Sequence, residues 1–240
     1  MDSSVSADSQ IDHAAALNYW SSVPPTISGL MGGYPQISRV DLQGSANFLA
    51  KVRRQSSGSS VKSLLSRGVD CGAGIGRVTQ GFLAEVCELV DLVEPVQTFT
   101  DEIESGETFR DLREVGKIGQ VFRRGLEEWE PGVEKYDLIW NQWCLGHLTD
   151  VQLVAYLERC RSALRPGGWI VVKENMSTSS DRSDVYDGVD SSVTRTDEKF
   201  REVFRKAGLK IVKTELQAGF PKNLELYPVR SYALGPLALP

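Results

Sequence analysis

A short glycine-rich turn is the first feature of this sequence that indicates chemistry. Asp70–Arg77 reads Asp-Cys-Gly-Ala-Gly-Ile-Gly-Arg. Glycines let a backbone approach a ligand closely, and the free amides at the start of a following helix favour an anionic or oxygen-rich group. The Gly-X-Gly-X-Gly spacing is one residue shorter than the pattern that suits a dinucleotide pyrophosphate, which argues against NAD. The turn predicts a nucleotide-like cofactor, although a ligand-free turn with positive φ angles would use the same residues.

An acidic residue after the next apolar run supports a nucleoside ligand. Glu94 closes the run Leu89–Val93, roughly 20 residues beyond the glycines, where an acid holds a ribose hydroxyl in such folds. Further along, Gly125–Trp129 offers a backbone amide and an acid that could contact an adenine edge, or it forms an ordinary acidic surface turn. The two matched features at the turn and at Glu94 indicate a nucleoside site in a strand–helix–strand unit.

Parallel strands and helices must bring these residues together. Helical spacing follows the glycine turn at Val78, Phe82, Leu83 and Val86, and further helices are predicted from about Gln97, after Asp150 and over Thr196–Ala207. Apolar runs predict seven strands: Val61–Leu65 with Val69, Leu89–Glu94, Gln120–Arg123, Tyr136–Trp140, Trp169–Lys173, Leu209–Thr214 and Tyr227–Ala233. This alternation predicts an α/β fold with a doubly wound, seven-stranded, Rossmann-like sheet over residues 61–240.

The first sixty residues form a separate region of the prediction. Residues 1–10 are polar and predicted to be disordered. Residues 11–60 are predicted to be a helical extension and linker, either a cap on the main domain or a lid over a substrate channel. Its predicted elements are Ile11–Trp20, Ile27–Met31, Ser45–Arg54 and a flexible joint at Gln55–Ser60.

Composition narrows the classes of partner. The 240-residue chain has a formal net charge of −5, which argues against a nucleic-acid ligand. Four cysteines without a Cys-X-X-Cys pair and two histidines indicate neither a metal site nor a disulfide framework. There is no apolar run of membrane-spanning length, and the first residues lack the basic and apolar parts of a signal peptide. We expect a cytoplasmic location, with the nucleus as an alternative, and no membrane partner.

Several motifs resemble one known family. Asp70–Arg77, Glu94 and Asn141–Trp143 resemble class I S-adenosylmethionine (AdoMet)-dependent methyltransferases. Three further stretches are similar to protein α-N-terminal methyltransferases, which act on proteins that begin X-Pro-Lys or X-Pro-Arg after methionine removal. These stretches are Asn18–Trp20 with Gly29–Tyr34, Ile139–Asp150, and Lys173–Met176 with Val189–Val193.

The resemblance implies a donor site and its residues. AdoMet would be the cofactor and S-adenosylhomocysteine the product, with one to three methyl groups added. Arg77 would bind the methionine carboxylate, a task that suits its planar guanidinium. The residues implied to hold the cofactor are Gly72, Arg77, Glu94, Leu126, Glu127 and Gln142. The chain departs from the family at Glu94, where aspartate is common, and at Asn141 and Cys144, where apolar residues are frequent.

The resemblance also implies an acceptor site. His147 and Asp190 would be catalytic, because both could bind the incoming ammonium and either could accept its proton. The residues implied to bind the substrate protein are Trp20, Met31, Trp143, Asn175, Asp187 and Tyr227. Without the resemblance, His147 is simply a residue near a helix start, Asp190 a loop cap and Trp143 a core residue. The acid-rich stretch 177–192 is predicted to be a long polar loop, and its role as a lid stays open.

Two other functions remain alternatives at this point. One is a class I methyltransferase for a small-molecule amine or hydroxyl, and the other is a non-catalytic AdoMet-binding scaffold. The resemblance further implies ribosomal proteins among the substrates, and we expect a monomer.

Overall fold

A single sheet of seven strands forms the centre of the fold. The computed structural model describes residues 6–57 and 63–237. The strands are β1 (Leu65–Cys71), β2 (Cys87–Val93), β3 (Ile118–Phe122), β4 (Tyr136–Gln142), β5 (Leu164–Asn175), β6 (Val185–Asp187), β7 (Ser192–Thr194), β8 (Leu209–Leu216) and β9 (Val229–Pro236). The sheet order is β3-β2-β1-β4-β5-β9-β8, with β6 and β7 forming a separate hairpin. Strands β1 to β5 are parallel and β9 is antiparallel to both neighbours, so the predicted doubly wound α/β sheet is confirmed.

Helices cover both faces of this sheet. They are α1 (His13–Ser22), α2 (Ile27–Leu30), α3 (Ser38–Ser57), α4 (Ala84–Val86), α5 (Gln97–Ser105), α6 (Arg110–Glu114), α7 (Asp150–Ala163) and α8 (Asp197–Lys206). Successive residues of a strand point to opposite faces. Trp140 accordingly packs with Phe48 of α3 on one face, whereas Ile139 packs with the side chains of α7 and α8 on the other. Strand β4 is buried on both sides, which explains its nearly continuous apolar sequence.

Helix starts are set by local capping. The Thr149 side chain accepts from the Gln152 amide, and the Gln152 side chain accepts from the Thr149 amide, which is a complete capping box for α7. Thr196 caps α8 in the same way through the Lys199 amide. Across the described ranges, no helix combines the length and apolarity that crossing a bilayer requires.

Several predicted boundaries in the first part of the chain are wrong. Helix α3 begins at Ser38 rather than Ser45, and it continues to Ser57 through part of the predicted flexible joint. Gly44 lies inside α3, where the helix packs so closely that a Cβ at this position would lie 2.2 Å from Gln217 Oε1. The rest of the joint, residues 58–60, lies outside the described residues, as do residues 61 and 62 of the predicted first strand, which begins at Leu65.

Two predictions of irregular structure are also wrong in part. Residues 7–10 form a 3-10 turn rather than a disordered tail, while residues 1–5 lie outside the described part of the chain. Asp8 anchors this turn by accepting a hydrogen bond from the Asp150 amide at the start of α7 (2.9 Å). The polar stretch 177–192 contains strand β6 and is ordered locally, because Asp181 accepts from the amide and hydroxyl of Ser183. Local Asp and Ser hydrogen bonds can hold a polar segment that has no apolar core.

Candidate active site

A cavity of about 480 Å³ lies at the carboxyl edge of the central strands. This edge is where open α/β sheets bind ligands. A larger groove of about 560 Å³ between α3 and β8 contains none of the predicted site residues. The cavity at the sheet edge therefore defines the candidate active site.

The cavity brings together most of the residues that the sequence predicted. Those that line it are Trp20, Met31, Gly72, Arg77, Glu94, Leu126, Glu127, Gln142, Trp143 and His147. Asn175, Asp187, Asp190 and Tyr227 do not line it. The six predicted cofactor residues thus share one cavity with the aromatic part of the predicted acceptor site.

The glycine turn packs tightly against the loop that follows β4. Gly72 has φ +66°, and a Cβ there would lie 2.3 Å from the Cβ of Cys144. The Gly72 and Ala73 amides are occupied by the protein itself, because both donate to the Val93 carbonyl, at 2.9 and 3.0 Å. The expectation for the amides at the helix start concerns later residues and stays a prediction.

The acid of the motif supports the helix after the turn. Asp70 accepts from the amide of Thr79 at 3.1 Å and from its hydroxyl at 2.7 Å. Thr79 begins a π-helical turn, Thr79–Leu83, which leads into α4. Burial raises the pKa of Asp70 to about 6, and the two hydrogen bonds from Thr79 oppose that rise. Asp70 thus positions the turn from behind rather than facing the cavity.

Glu94 is placed at the end of β2, where the sequence predicted an acid for a ribose. It is 5% exposed, and its two oxygens accept from the Gly74 amide (2.8 Å) and the Val96 amide (2.9 Å). Burial raises its pKa to about 7, and the amide of Val96 followed by that of Gly74 opposes the rise. Each carboxylate oxygen keeps a second lone pair for a ligand hydroxyl.

Arg77 and Gln142 are both held by a residue that the sequence reading did not identify. Asp41 of α3 accepts from Gln142 Nε2 at 2.8 Å and forms an ion pair with Arg77 at 2.9 Å. The Arg77 guanidinium also donates to the Ser38 hydroxyl at 3.2 Å and lies over the Trp143 ring, 5.5 Å from its centroid. Arg77 is therefore oriented on three sides before any ligand binds.

The turn after β3 forms the far wall of the cavity. Leu126 is buried and Glu127 half-buried in this turn. Arg159 of α7 holds the turn by donating to the carbonyls of Leu126, Glu127 and Trp129 at 2.9, 3.1 and 3.0 Å. The turn is thus held in place, with the buried Leu126 and two acids, Glu127 and the exposed Glu128, lining the cavity.

His147 is held between the N-terminal extension and the hairpin. Its Nε2 accepts a hydrogen bond from Trp20 Nε1 at 3.1 Å, and its Nδ1 lies 3.4 Å from the Ser191 carbonyl. Because a neutral imidazole carries one proton, this arrangement assigns the proton to Nδ1. Burial lowers the pKa of His147 below its usual value, and the neighbouring Asp190 carboxylate opposes the shift.

Asp190 lies beside this histidine with an unused oxygen. Its Oδ1 is buried and has no hydrogen-bond partner among the described residues, and the indole N–H of Trp143 is in the same condition. Trp143 and Ser191 both have φ +55°, a left-handed backbone conformation that residues other than glycine rarely adopt. Backbone strain of this kind and unpaired buried polar atoms are typical of ligand sites.

The other predicted substrate residues lie outside the cavity. Asn175 ends β5 and pairs with Val229 of β9, so Tyr227 lies two residues before that pair. Tyr227 is exposed, as is Asp187, whose side chain accepts from the Val189 amide at 2.8 Å. In this structure Asp187 therefore caps its own turn.

Two residues that sequence reasoning missed clamp the loop that carries His147. Glu174 Oε1 accepts from the amides of Cys144 and Leu145, both at 2.9 Å. Arg195 is fully buried and donates to the carbonyls of Leu145 and Leu148. Burial raises the pKa of Glu174 to about 7, and these two amides oppose the rise. Glu174 lies inside one of the resemblance motifs, which was the available signal.

The described residues fit AdoMet. The cavity is lined by the apolar Val96, Phe99 and Leu126, which suit a purine, and by Glu94, which suits a ribose. Arg77 and Gln142 line the same cavity and offer donors to a charged amino-acid group. No group of three or more potential metal ligands occurs among the residues that the structure describes.

Comparisons with known sequences match this chain to methyltransferases. A family profile described as AdoMet dependent proline di-methyltransferase matches residues 8–235. A Xenopus laevis protein named N-terminal Xaa-Pro-Lys N-methyltransferase 1-A is 42% identical over 223 residues, 92% of this chain and 94% of the relative. A Schizosaccharomyces pombe protein named Alpha N-terminal protein methyltransferase 1 is 41% identical over 226 residues, 93% of this chain and 96% of the relative.

Comparisons with solved structures agree. A SAM-dependent methyltransferase from Leishmania major matches with a TM-score of 0.79 and 35% identity, covering 92% of this chain and 82% of that one. The N-methyltransferase NodS from Bradyrhizobium japonicum, solved with S-adenosyl-L-homocysteine, matches with a TM-score of 0.57 at 15% identity. This match covers 78% of this chain and 84% of NodS, and it bears on the fold alone.

Proposed function

This chain belongs to the family of AdoMet-dependent proline di-methyltransferases, and from that premise we propose that it methylates protein N-termini that read X-Pro-Lys or X-Pro-Arg. AdoMet is its cofactor. The observation that carries the proposal is the single cavity that joins the cofactor residues to Trp20, Trp143 and His147. Such a cavity lets a methyl donor and a protein N-terminus meet away from bulk solvent.

On the donor side, the role of the residues is to bind AdoMet and orient it. When bound, AdoMet supplies a methyl group on a positively charged sulfur, and S-adenosylhomocysteine is the product. Arg77 would bind the carboxylate, Glu94 would accept from ribose hydroxyls, and Gln142 with Gly72 would border the methionine part. Leu126 and Glu127 would border the adenine, with Leu126 supplying an apolar surface. These assignments come from the family resemblance, and the shared cavity supports them.

On the acceptor side, deprotonation of the α-amino group requires little free energy. An α-amino group has a pKa of about 7.7 to 8.0, so freeing its lone pair costs only about 1 kcal/mol at neutral pH. A lysine side chain, with a pKa of about 10.4, would cost several times more. Positioning of the nitrogen in line with the methyl group should therefore contribute more than a strong base.

We assign the proton to Asp190 and an orienting role to His147. The Nε2 lone pair of His147 already accepts from Trp20, so this nitrogen is not free to take a proton. Asp190 Oδ1 is buried beside it with no partner, which suits a carboxylate that binds an ammonium and then holds its proton. The lowered pKa of His147 keeps the ring neutral and avoids repulsion of the incoming ammonium.

The remaining predicted residues would select the peptide. Trp20 and Trp143 form the slot for the second-position proline, and Met31 adds an apolar wall at the same cavity. Asn175 would hydrogen-bond the backbone of the first residue. Tyr227 would act nearby, because it lies two residues before Val229, the partner of Asn175 in the sheet. Asp187, together with Asp190, would attract the third-position lysine or arginine.

Mass spectrometry of peptides tests the function. A peptide beginning Ser-Pro-Lys, incubated with the full chain and AdoMet, should gain one to three methyl groups. Its N-acetylated twin should gain none, because the lone pair of the acceptor is blocked. A chain that binds AdoMet but leaves every X-Pro-Lys peptide unmodified would favour the scaffold alternative. Methylation of small amines after deletion of residues 1–34 would favour a small-molecule enzyme.

Three further points are proposed from the sequence and the resemblance alone. We propose a cytoplasmic location, a monomer in solution and ribosomal proteins among the substrates. Fluorescence microscopy of the tagged chain, light scattering of the purified protein and N-terminal mass spectrometry of ribosomes from a deletion strain test them in turn.

A further inference from the structure

A buried cluster of charges connects helix α3 to the cofactor residues. Asp41 of α3 and Lys173 of β5 are both fully buried, and neither lines the cavity. Asp41 Oδ1 contacts Lys173 Nζ at 2.5 Å, and Lys173 Nζ also donates to the Asp41 carbonyl and the Ser45 hydroxyl, each at 2.9 Å. The proposed donor-site chemistry uses neither of these two charges.

The two oxygens of Asp41 divide the cluster. Oδ1 faces Lys173, whereas Oδ2 binds both Arg77 (2.9 Å) and Gln142 (2.8 Å). Gln142 is fixed at its other end because its Oε1 accepts from Trp140 Nε1 at 3.1 Å. Lys173 thus holds the carboxylate in place, and the carboxylate sets the direction of two side chains that line the cavity.

Stability alone is a weak reason for such a cluster. Desolvation of buried charges offsets much of their mutual attraction, and apolar residues of the same volume often serve stability equally well. A positioned guanidinium, by contrast, loses little conformational freedom when a carboxylate binds it. The geometry therefore serves ligand binding better than it serves folding.

We infer that Asp41 is a positioning residue for AdoMet, acting through Arg77 and Gln142, with Lys173 and Ser45 holding its own carboxylate. The inference deepens the proposed donor site and rests on the assignment of Arg77 and Gln142 to it. It also gives two parts of the N-terminal extension different roles. Trp20 and Met31 of the first part line the cavity, whereas α3 supports Arg77 and Gln142 from outside it.

A double-mutant cycle on S-adenosylhomocysteine binding tests the inference. Asp41→Asn should weaken binding to the full chain on the order of tenfold, as expected for residues in one hydrogen-bond network. In an Arg77→Met background the same substitution should change affinity by much less. An equal effect in both backgrounds would overturn the inference, because Asp41 would then act independently of Arg77. Titration calorimetry measures all four affinities.

Matched variants separate positioning from folding. Lys51→Met, on the same helix, removes an exposed ion pair with Glu215 without touching Asp41, Arg77 or Gln142, so its affinity should stay within about twofold of the parent. If Asp41→Asn does not fold, Asp41→Asn with Lys173→Met removes the buried pair together and should still bind weakly. In steady-state assays, loss of Asp41 should raise the KM for AdoMet more than it lowers kcat. Normal binding by the paired variant would contradict the inference.

Hydrogen exchange on the unmodified chain gives a readout that needs no variant. Binding of S-adenosylhomocysteine should slow amide exchange in the first two turns of α3, around Asp41, although these amides do not border the cavity. Unchanged exchange there, with protection confined to the glycine turn and Glu94, would overturn the inference. Neither calorimetry nor hydrogen exchange involves a peptide, so failure of peptide methylation would not be mistaken for failure of this inference.

Discussion

The donor and acceptor halves of the cavity are built in different ways. On the donor side, Gly72, Glu94 and Gln142 lie at the ends of three neighbouring parallel strands, so the sheet itself brings them together. On the acceptor side, Trp20 and His147 line the cavity from a helix of the extension and from the segment after β4, whereas Asp190, between β6 and β7, does not line it. The donor site is thus a product of the fold, whereas the acceptor site is assembled from segments that must be tied to one another.

The ties on the acceptor side are individual hydrogen bonds. The Asp12 amide donates to the Ser191 hydroxyl at 2.8 Å across 179 positions of sequence. Tyr186 OH lies 3.3 Å from the same hydroxyl. Because a few bonds rather than a sheet hold this half, we expect its substitutions to change turnover while cofactor affinity stays the same. The four predictions below test that separation.

The largest effect is expected at Asp190. Asp190→Asn should lower kcat by about 100-fold or more, because the amide neither binds an ammonium as strongly nor accepts its proton. Its affinity for S-adenosylhomocysteine should stay within about twofold. Asp187→Asn is the matched control: it should raise the KM for an X-Pro-Lys peptide with a much smaller change in kcat. A large loss of cofactor affinity in Asp190→Asn would break the separation between the halves.

The reciprocal effect is expected at Glu94. Glu94→Gln should raise the KM for AdoMet about tenfold, since a neutral amide is a weaker acceptor for ribose hydroxyls and its NH2 opposes the Gly74 or Val96 amide. At saturating AdoMet, kcat should recover to within a few-fold of the parent. Steady-state kinetics with AdoMet varied at fixed peptide checks this. A kcat defect that persists at saturation would place Glu94 on the acceptor side.

A moderate effect is expected when the hydrogen bond to His147 is removed. Trp20→Phe keeps an aromatic ring but frees His147 Nε2, so kcat should fall by about threefold to tenfold. A free nitrogen can be protonated, and the pH profile of kcat/KM should acquire a new ionisation in the acidic range. Trp143→Phe is the comparison variant, since it removes an indole N–H without touching His147. A profile unchanged in Trp20→Phe would show that the tautomer does not depend on Trp20.

The smallest effect on turnover is expected at Glu174. Glu174→Gln keeps an oxygen for the amides of Cys144 and Leu145, so kcat should change by less than about twofold. Stability should respond instead. Because burial raises the folded-state pKa from 4.5 to about 7, the parent loses stability as pH rises through that window.

The sign can be measured directly. The free energy of unfolding of Glu174→Gln should equal that of the parent below about pH 4.5. At pH 8 it should exceed the parent's by about 1 to 3 kcal/mol, since one pKa unit corresponds to about 1.4 kcal/mol. Asp70 and Glu94 also have raised pKa values, but they are present in both proteins, so the difference isolates Glu174. Urea unfolding at pH 5 and pH 8 measures it. A larger stability gap at pH 5 than at pH 8 would contradict the assigned direction.

The contrast between the halves also explains what the sequence could predict. The strand periodicity and the spacing from the glycine turn to Glu94 are local patterns, and they located the sheet and the donor side of the cavity. His147 and Trp143 were found through motifs of a resembling family rather than through periodicity.

The missed residues depend on contacts between distant parts of the chain. Asp41 meets Gln142 across 101 positions, and Arg195 reaches Leu145 across 50. The available signal for Asp41 was a charge on the same helical face as the apolar Phe48 and Val52, because such a charge must find a buried partner. The ordered turn at Ala7–Gln10 could not be predicted either, because a hydrogen bond from the Asp150 amide to Asp8 anchors it in place of apolar packing.

The left-handed backbone at Trp143 and Ser191 is strain that each side chain offsets by its contacts. An ordinary L-residue adopts this conformation at a cost of about 1 to 2 kcal/mol, and glycine would remove that cost at both positions. Glycine would also delete the indole over Arg77 and the hydroxyl that ties Asp12 to the hairpin. The loss of a packed aromatic ring costs about 3 to 5 kcal/mol, so selection for heat resistance would retain a side chain at Trp143 in spite of its backbone strain.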